Sequence, residues 1–235
     1  KVLFKTERQD QGAYIQNAHQ GLVDRGWVHD YGKGQVAYTG PVLSLARFVN
    51  DEAAKLYAQV FATEDAHFPA FIDHETLHKC GYIESHPNAV SHVASMVEDF
   101  DKLEAYRLAN SCGAGPAMPP ETDIHHAGMC LNPAACLPAY PTLEGRKIGP
   151  EGHIISWLGR VFRYESRNIS GLDRLYEFNV REIVFVGSED FVAERRERAL
   201  PLIKTLAETL DLDMNLESAT DPFFATVSAA KKFFQ

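Results

Sequence analysis

The sequence has no apolar run near the roughly 20 residues that span a bilayer, and its first residues, Lys1-Val-Leu-Phe-Lys-Thr-Glu-Arg8, lack the basic-then-apolar layout of an export signal. This reading places the protein in the cytoplasm. Only four cysteines occur, Cys80, Cys112, Cys130 and Cys136, with no C-x-x-C pair and no Cys/His array of zinc-finger spacing. In a reducing compartment they read as thiols rather than as a disulfide framework. Signatures of several common chemistries are missing as well: no G-x-S-x-G elbow, no Walker A loop, no G-x-G-x-x-G turn. Internal repeats and low-complexity tracts are absent too, which excludes solenoids and disordered linkers. Basic residues are in deficit, 23 Lys and Arg against 32 Asp and Glu, for a formal charge of -9. Wrapping a large polyanion draws on clustered cations, so a tRNA-sized partner is disfavoured. The one basic cluster, Arg195-Arg196-Glu197-Arg198, is interleaved with acids and reads as a solvated helix face.

What is present is the composition of an ordinary folded domain, 45% hydrophobic and 11% aromatic over 235 residues, enough for one substantial core. The first forty residues read as an extension of loops with a short helix near 15–23, and residues 41–235 as the main domain. Leu45, Phe48, Ala53, Leu56, Val60 and Phe61 recur at helical spacing and predict an amphipathic helix over 43–62. Phe68-Pro-Ala-Phe-Ile-Asp73 reads as an edge strand, since its proline cannot donate to a central ladder. Segments 91–98 and 100–108 fit strand or short helix equally. Met129 begins a short strand that runs into a proline-limited helix start, and 110–120 and 145–152 are loops. Residues 154–163 and 175–187 are the best strands, paired as an antiparallel hairpin across a polar loop. Ser188 caps a long helix whose first turn carries Glu189 and Asp190, with a kink expected at Pro201.

Arg163 and Glu165 alternate with Phe162 and Tyr164, so both charges fall on one face of a strand. Alone, that pattern fits either a surface ion pair or an anion clamp. The second strand sets Phe178 and Glu182 on one face; a ring beside an Arg and two carboxylates can stack a planar base and hold a phosphate or an amino group. Cys136, in Asn132-Pro-Ala-Ala-Cys-Leu-Pro138, fits core filler or a metal ligand. His74-Glu75-Thr76-Leu77-His78 matches H-E-x-x-H literally, yet Pro69 and Gly81 leave too little room for the helix a metalloprotease needs, which makes a chance match the stronger reading.

Phe162-Arg-Tyr-Glu165, Gly171-Leu-Asp-Arg174 and Phe178-Asn-Val-Arg-Glu182 together resemble motif 2 of class II aminoacyl-tRNA synthetases, and the 43–62 helix with Phe68-Pro69 resembles the dimer-forming motif 1. Within that class, Gly81-Tyr82 to His86-Pro87, Leu131-Asn-Pro-Ala-Ala-Cys136, Arg181-Glu182 and Asp221-Pro-Phe-Phe224 are similar to the amino acid:[carrier protein] ligases, relatives of the zinc-dependent seryl-tRNA synthetases. The resemblance covers about residues 40–233. It implies an α/β (α+β) fold with an antiparallel sheet flanked by helices, and chemistry of one kind: ATP- and Mg2+-dependent activation of a small amino acid to an aminoacyl adenylate, passed to the phosphopantetheine thiol of a carrier protein. By the same resemblance Arg163 binds the α-phosphate and the substrate carboxylate, Glu165 takes the adenine amino group, Phe178 stacks on the ring, and Arg174 adds to the ATP site. Cys136 and Glu182 hold a Zn2+ that receives the amino group. A homodimer is implied. An aminoacyl-tRNA synthetase paralogue that charges tRNA, or a catalytically inactive binding module, are the other readings. The family's motif 3 and its third zinc cysteine lie beyond position 233, so a C-terminal part is expected to follow Gln235.

Overall fold

In the computed structural model, which describes residues 2–10, 12, 15–111, 115–165, 169 and 171–218, the order of elements is β1 (Val2–Thr6), α1 (Ala18–Asp24), β2 (Val28–Gly32), β3 (Gln35–Tyr38), α2 (Gly40–Val60), β4 (Glu64–Asp65), β5 (Phe71–Asp73), α3 (His74–Lys79), α4 (Tyr82–Ser85), β6 (His92–Met96), α5 (Phe100–Ser111), β7 (Ile124–Leu131), α6 (Tyr140–Leu143), β8 (His153–Phe162), β9 (Glu177–Val186), α7 (Glu189–Thr209) and β10 (Met214–Glu217). The expected resemblance segment 221–233 and Cys112 lie outside the described residues.

The longest pairing is β8 with β9, antiparallel from His153↔Val186 to Phe162↔Glu177. Both strands are rich in Ile, Val and Phe, which suit a pleated surface buried on two sides. β4 adds a short parallel edge through Glu64↔Ile155, giving the order β4-β8-β9. Register sorts the faces. Trp157, Gly159 and Val161 stand opposite Glu182, Val180 and Phe178, so these six share one face. The other face carries Asn179, Arg181 and Phe185 and is covered by α2 and α7. There Phe185 meets Phe61 edge-on at 5.1 Å, and Arg181 Nε donates to Asn50 Oδ1 of α2 at 2.9 Å.

A second sheet, β5-β7-β6, packs its buried Ile72 and Cys130 against Leu77, Tyr82, Ala134 and Leu137. β5 lies at its edge as expected, but it begins only at Phe71, so Pro69 stands outside the strand and is not what sets the edge position. Asn132–Ala139 links the two sheets, and Ala139, Ile155 and Trp157 form a second core cluster with Phe68, whose ring meets Trp157 at 4.7 Å. Two further antiparallel pairs, β1-β10 and β2-β3, lie in segments that gave no strand signal.

Several expectations shift. β8 ends at Phe162, so Arg163 and Glu165 sit just past the strand rather than on its face. The first forty residues hold β1, β2 and β3 besides the short helix, and β7 begins at Ile124, five residues before Met129. Segments 91–98 and 100–108 resolve as β6 and α5. Ser188 does cap α7, its Oγ accepting from Phe191 N at 3.2 Å, and Pro201 sits inside one continuous helix.

Candidate functional site

The face holding Phe178 and Glu182 is where the Asn132–Ala139 segment crosses the sheet. A side chain at Gly159 would bring Cβ to 3.1 Å from Ala135 Cβ, so the Asn132–Cys136 segment passes directly over the β8-β9 pair. Phe162 N donates to Asn132 O at 2.8 Å and fixes that crossing. Asn132 is buried and its Oδ1 accepts from Ala134 N at 3.3 Å, turning the chain so that Cys136 lies in reach of the charge on Glu182.

Arg163 leaves the end of β8 tethered at both ends. Its backbone N–H donates to Tyr176 O at 2.8 Å, and its Nε donates to Pro133 O at 3.2 Å. The guanidinium carbon stands 5.2 Å from the centre of the Phe178 ring, a cation–π arrangement. One nitrogen edge is thus oriented while others remain to bind an anion. Glu165 is paired instead with Arg174, whose Nη1 lies 3.0 Å from Oε2. This pair joins the two sides of the loop between β8 and β9 and, being partly exposed, contributes under about 1 kcal/mol.

Cys136 and Glu182 form the half-buried end. Burial pushes the Cys136 thiol up to about 11, with the Glu182 carboxylate adding to the shift. Burial also raises Glu182. Tyr140 lies near Cys136 and Tyr57 from α2 feels the Glu182 charge; burial raises both phenols. Two half-buried groups that are negative when ionised, Cys136 held neutral by burial and by the Glu182 charge and Glu182 by burial, are the arrangement a cation relieves. The donor chemistry, thiolate with carboxylate, suits zinc. Among the described residues no cluster of three His, Cys, Asp or Glu side chains completes a metal site.

Sequence reasoning assigned no role to His86, which the fold brings against this site. Its ring stacks on Tyr82 at 5.2 Å with 29° between planes. Burial lowers its pKa first, and the charge of Arg163 lowers it further. The only sequence signal was His86-Pro87 within the family-like stretch. The six assigned residues therefore fall into three pairs, Arg163 with Phe178, Glu165 with Arg174, and Cys136 with Glu182, arranged along one strand pair. His74 and His78 lie elsewhere, at the ends of a six-residue helix whose Leu77 is buried and whose Glu75 pairs with Lys79 at 3.0 Å, so the H-E-x-x-H match has no catalytic form. A cavity of about 560 Å³ against Phe61, Glu64, His153, Arg195 and Arg198 is also separate. It opens at the start of β8, about 30 Å along the strand from Phe162.

Solved structures of class II synthetases carry this architecture. M. kandleri SerRS, in its crystal structure with A. aeolicus tRNASec, matches with a TM-score of 0.84 at 23% identity, over 95% of this chain and 44% of that one. Giardia lamblia prolyl-tRNA synthetase, in complex with prolyl-adenylate, matches with a TM-score of 0.58 at 16% identity, over 80% of this chain and 34% of that one. The fold is that of a class II synthetase, a helix-flanked antiparallel sheet.

Sequence comparison narrows the class. The chain is 30% identical over 205 residues to the type-2 serine–tRNA ligase of Methanocaldococcus jannaschii, covering 85% of this chain and 39% of that protein. It is 32% identical over 174 residues to amino acid–[acyl-carrier-protein] ligase 1 of Bradyrhizobium diazoefficiens, covering 74% of this chain and 52% of that protein. It is a homologue of the type-2 serine–tRNA ligases and the amino acid–[acyl-carrier-protein] ligases. The chain spans about half or less of the length of these relatives. No protein-family model matches it.

Proposed function

We propose that the protein activates a small amino acid with ATP and Mg2+ as an aminoacyl adenylate and passes it to the phosphopantetheine thiol of a carrier protein. The observation that carries this reading is the placing of a tethered Arg163 on the Phe178 ring of β9, the strand whose Glu182 is coupled to a half-buried Cys136. One end suits a nucleotide, the other an amino group.

In this mechanism Phe178 and the Arg163 guanidinium form the two sides of an ATP site, the ring stacking on adenine and the cation facing the α-phosphate. Arg163 also holds the amino acid carboxylate in line with that phosphorus and stabilises the charge that develops as the bond to pyrophosphate breaks. Glu165, released towards the adenine amino group or shared with Arg174, orders the loop over the base. Cys136 and Glu182 would hold zinc, which supplies a Lewis-acid position for the free amino group. The covering Ala135 over Gly159 leaves little room near that position, so the pocket favours a small side chain.

The carrier thiol as acceptor is supported by the net charge of -9 and by the likeness to the carrier-protein ligase. The likeness to serine–tRNA ligases favours a second reading, in which the same adenylate is passed to tRNA. The test uses the full-length protein. ATP–pyrophosphate exchange with glycine, alanine and serine is expected, followed by transfer to a phosphopantetheinylated carrier; transfer to tRNA alone would reverse the choice of acceptor. Elemental analysis is expected to find zinc that Cys136→Ala removes. Equal zinc in both proteins rules out the proposed ligand pair.

A further inference from the structure

Activation and transfer ask different things of a site. In activation the nucleophile is a carboxylate that is already ionised, so no base is needed. In transfer the nucleophile is a thiol of ordinary pKa about 8.5, which must lose a proton. A neutral base beside Arg163 has work only in the second step.

His86 has the fixed protonation pattern of such a base. Ser85 Oγ carries one proton, and two carbonyls compete for it, Gly81 O at 3.0 Å and Tyr82 O at 3.2 Å. Towards the imidazole, Ser85 Oγ therefore offers a lone pair. The contact of His86 Nδ1 with Ser85 Oγ at 2.9 Å is then an Nδ1–H donation, which leaves Nε2 unprotonated. Stacking on the buried Tyr82 holds the plane of the ring.

The segment bearing His86 is also pinned to the strand ends that carry Arg163. Ala89 N closes a turn onto His86 O at 3.1 Å, and Tyr164 N donates to Ala89 O at 3.3 Å. Two residues further on, Ser91 Oγ meets the Tyr176 hydroxyl, and Tyr176 O is the acceptor for Arg163 N. Burial and the Arg163 charge both favour the neutral imidazole.

We propose that His86 Nε2 accepts the proton of the incoming thiol in the transfer half-reaction, with Ser85 as the positioning residue that fixes its tautomer. This rests on the activation reading above. The thiol proton moves to Nε2 and the sulfur forms a bond to the aminoacyl carbonyl carbon. The bond from that carbon to the phosphate oxygen breaks, its electron pair leaving on AMP. The products are a thioester, AMP and an imidazolium that returns its proton to water.

The experiment compares two rates in the full-length protein: ATP–pyrophosphate exchange with glycine, and single-turnover transfer of glycine to pantetheine. In His86→Gln the transfer rate is expected to fall about 100-fold relative to exchange, the size of a lost general base. In His86→Gly, added imidazole is expected to restore part of the transfer. Ser85→Ala, which frees the tautomer, should show a smaller loss in the same step. A transfer rate within threefold of the unmutated protein, or an equal fall in both rates, overturns the proposal. Absence of exchange in the unmutated protein would instead remove the activation reading before His86 is tested.

Discussion

At the residue scale, the proposed ATP site turns on the difference between Arg and any other cation at position 163. The guanidinium makes two contacts from one plane, a donation to Pro133 O and a face on Phe178, and on the proposed reading its remaining N–H groups meet an anion. A Lys ammonium has no plane to stack and no fork for two phosphate oxygens. Arg163→Lys keeps the charge and should slow ATP–pyrophosphate exchange about 100-fold, the usual cost of losing an oriented donor at developing charge. Thermal unfolding should fall only slightly, since the Nε donation to Pro133 O is lost while the backbone N–H to Tyr176 O survives the change. A variant with near-normal exchange would place the phosphate contact elsewhere. Position 163 also shows how far a sequence can be read. Alternation put Arg163 and Glu165 together on one strand face, but the strand stops at Phe162 and each residue finds its own partner, one a ring and the other Arg174. The pairing of Phe178 with Glu182 was legible because both stay inside β9, where a period of two holds.

At the scale of elements, local signals and long-range pairing part company. Ser188, the acids after it and the apolar stripe announce α7, and the Ile- and Val-rich runs announce β8 and β9, since each of these carries its cause in neighbouring residues. β1 and β10 carry no such cause. Val2–Thr6 pairs with Met214–Glu217 at the far end of the described chain, and no window of the sequence contains both. What fixes that pairing is Asp211, at φ 51°, whose carboxylate accepts Gln9 N at 2.6 Å and Asp10 N at 2.9 Å, next to Asp213, which accepts Arg8 N at 2.7 Å. Those two backbone donors hold the Asp211 pKa below its ordinary value. The sign follows directly: a carboxyl depressed in the folded state contributes stability above its unfolded pKa, and that contribution disappears as pH falls through the lowered folded value. Asp211→Asn tolerates the left-handed backbone but turns an NH2 towards one of the two donors. Its Tm should lie below that of the unmutated protein at pH 7, and the gap should close towards pH 3. A gap that stays constant with pH would mean that the charge on Asp211 is not what anchors β1.

At the scale of the whole molecule, the two sheets meet through one short segment, Asn132–Ala139, which supplies the buried Leu137 and Ala139 to two core clusters and carries Cys136 between them. The positions of Cys136 and Glu182, 46 residues apart in sequence by subtraction of their numbers, follow from that crossing. No spacing rule encodes it, so the pair was visible only through family likeness. Net charge is a property of the whole molecule that needs no fold to read, and it bears on the choice of acceptor. With 32 acidic residues against 23 basic ones, the net charge of this chain opposes a polyanion at long range, and basic side chains of α7 are engaged, Arg195 and Arg198 with Glu194. Non-specific nucleic-acid binders reach dissociation constants of about 10⁻⁴ to 10⁻⁶ M at physiological salt by neutralising many phosphates. This protein should bind unfractionated tRNA more weakly than about 10⁻⁴ M at 0.15 M salt, about the physiological ionic strength, as read by fluorescence anisotropy. Lowering the salt should gain little affinity, because few phosphates are neutralised. Binding tighter than about 10⁻⁶ M with a steep salt slope would show an electropositive surface that the net charge conceals, and would turn the acceptor assignment from a carrier thiol to tRNA.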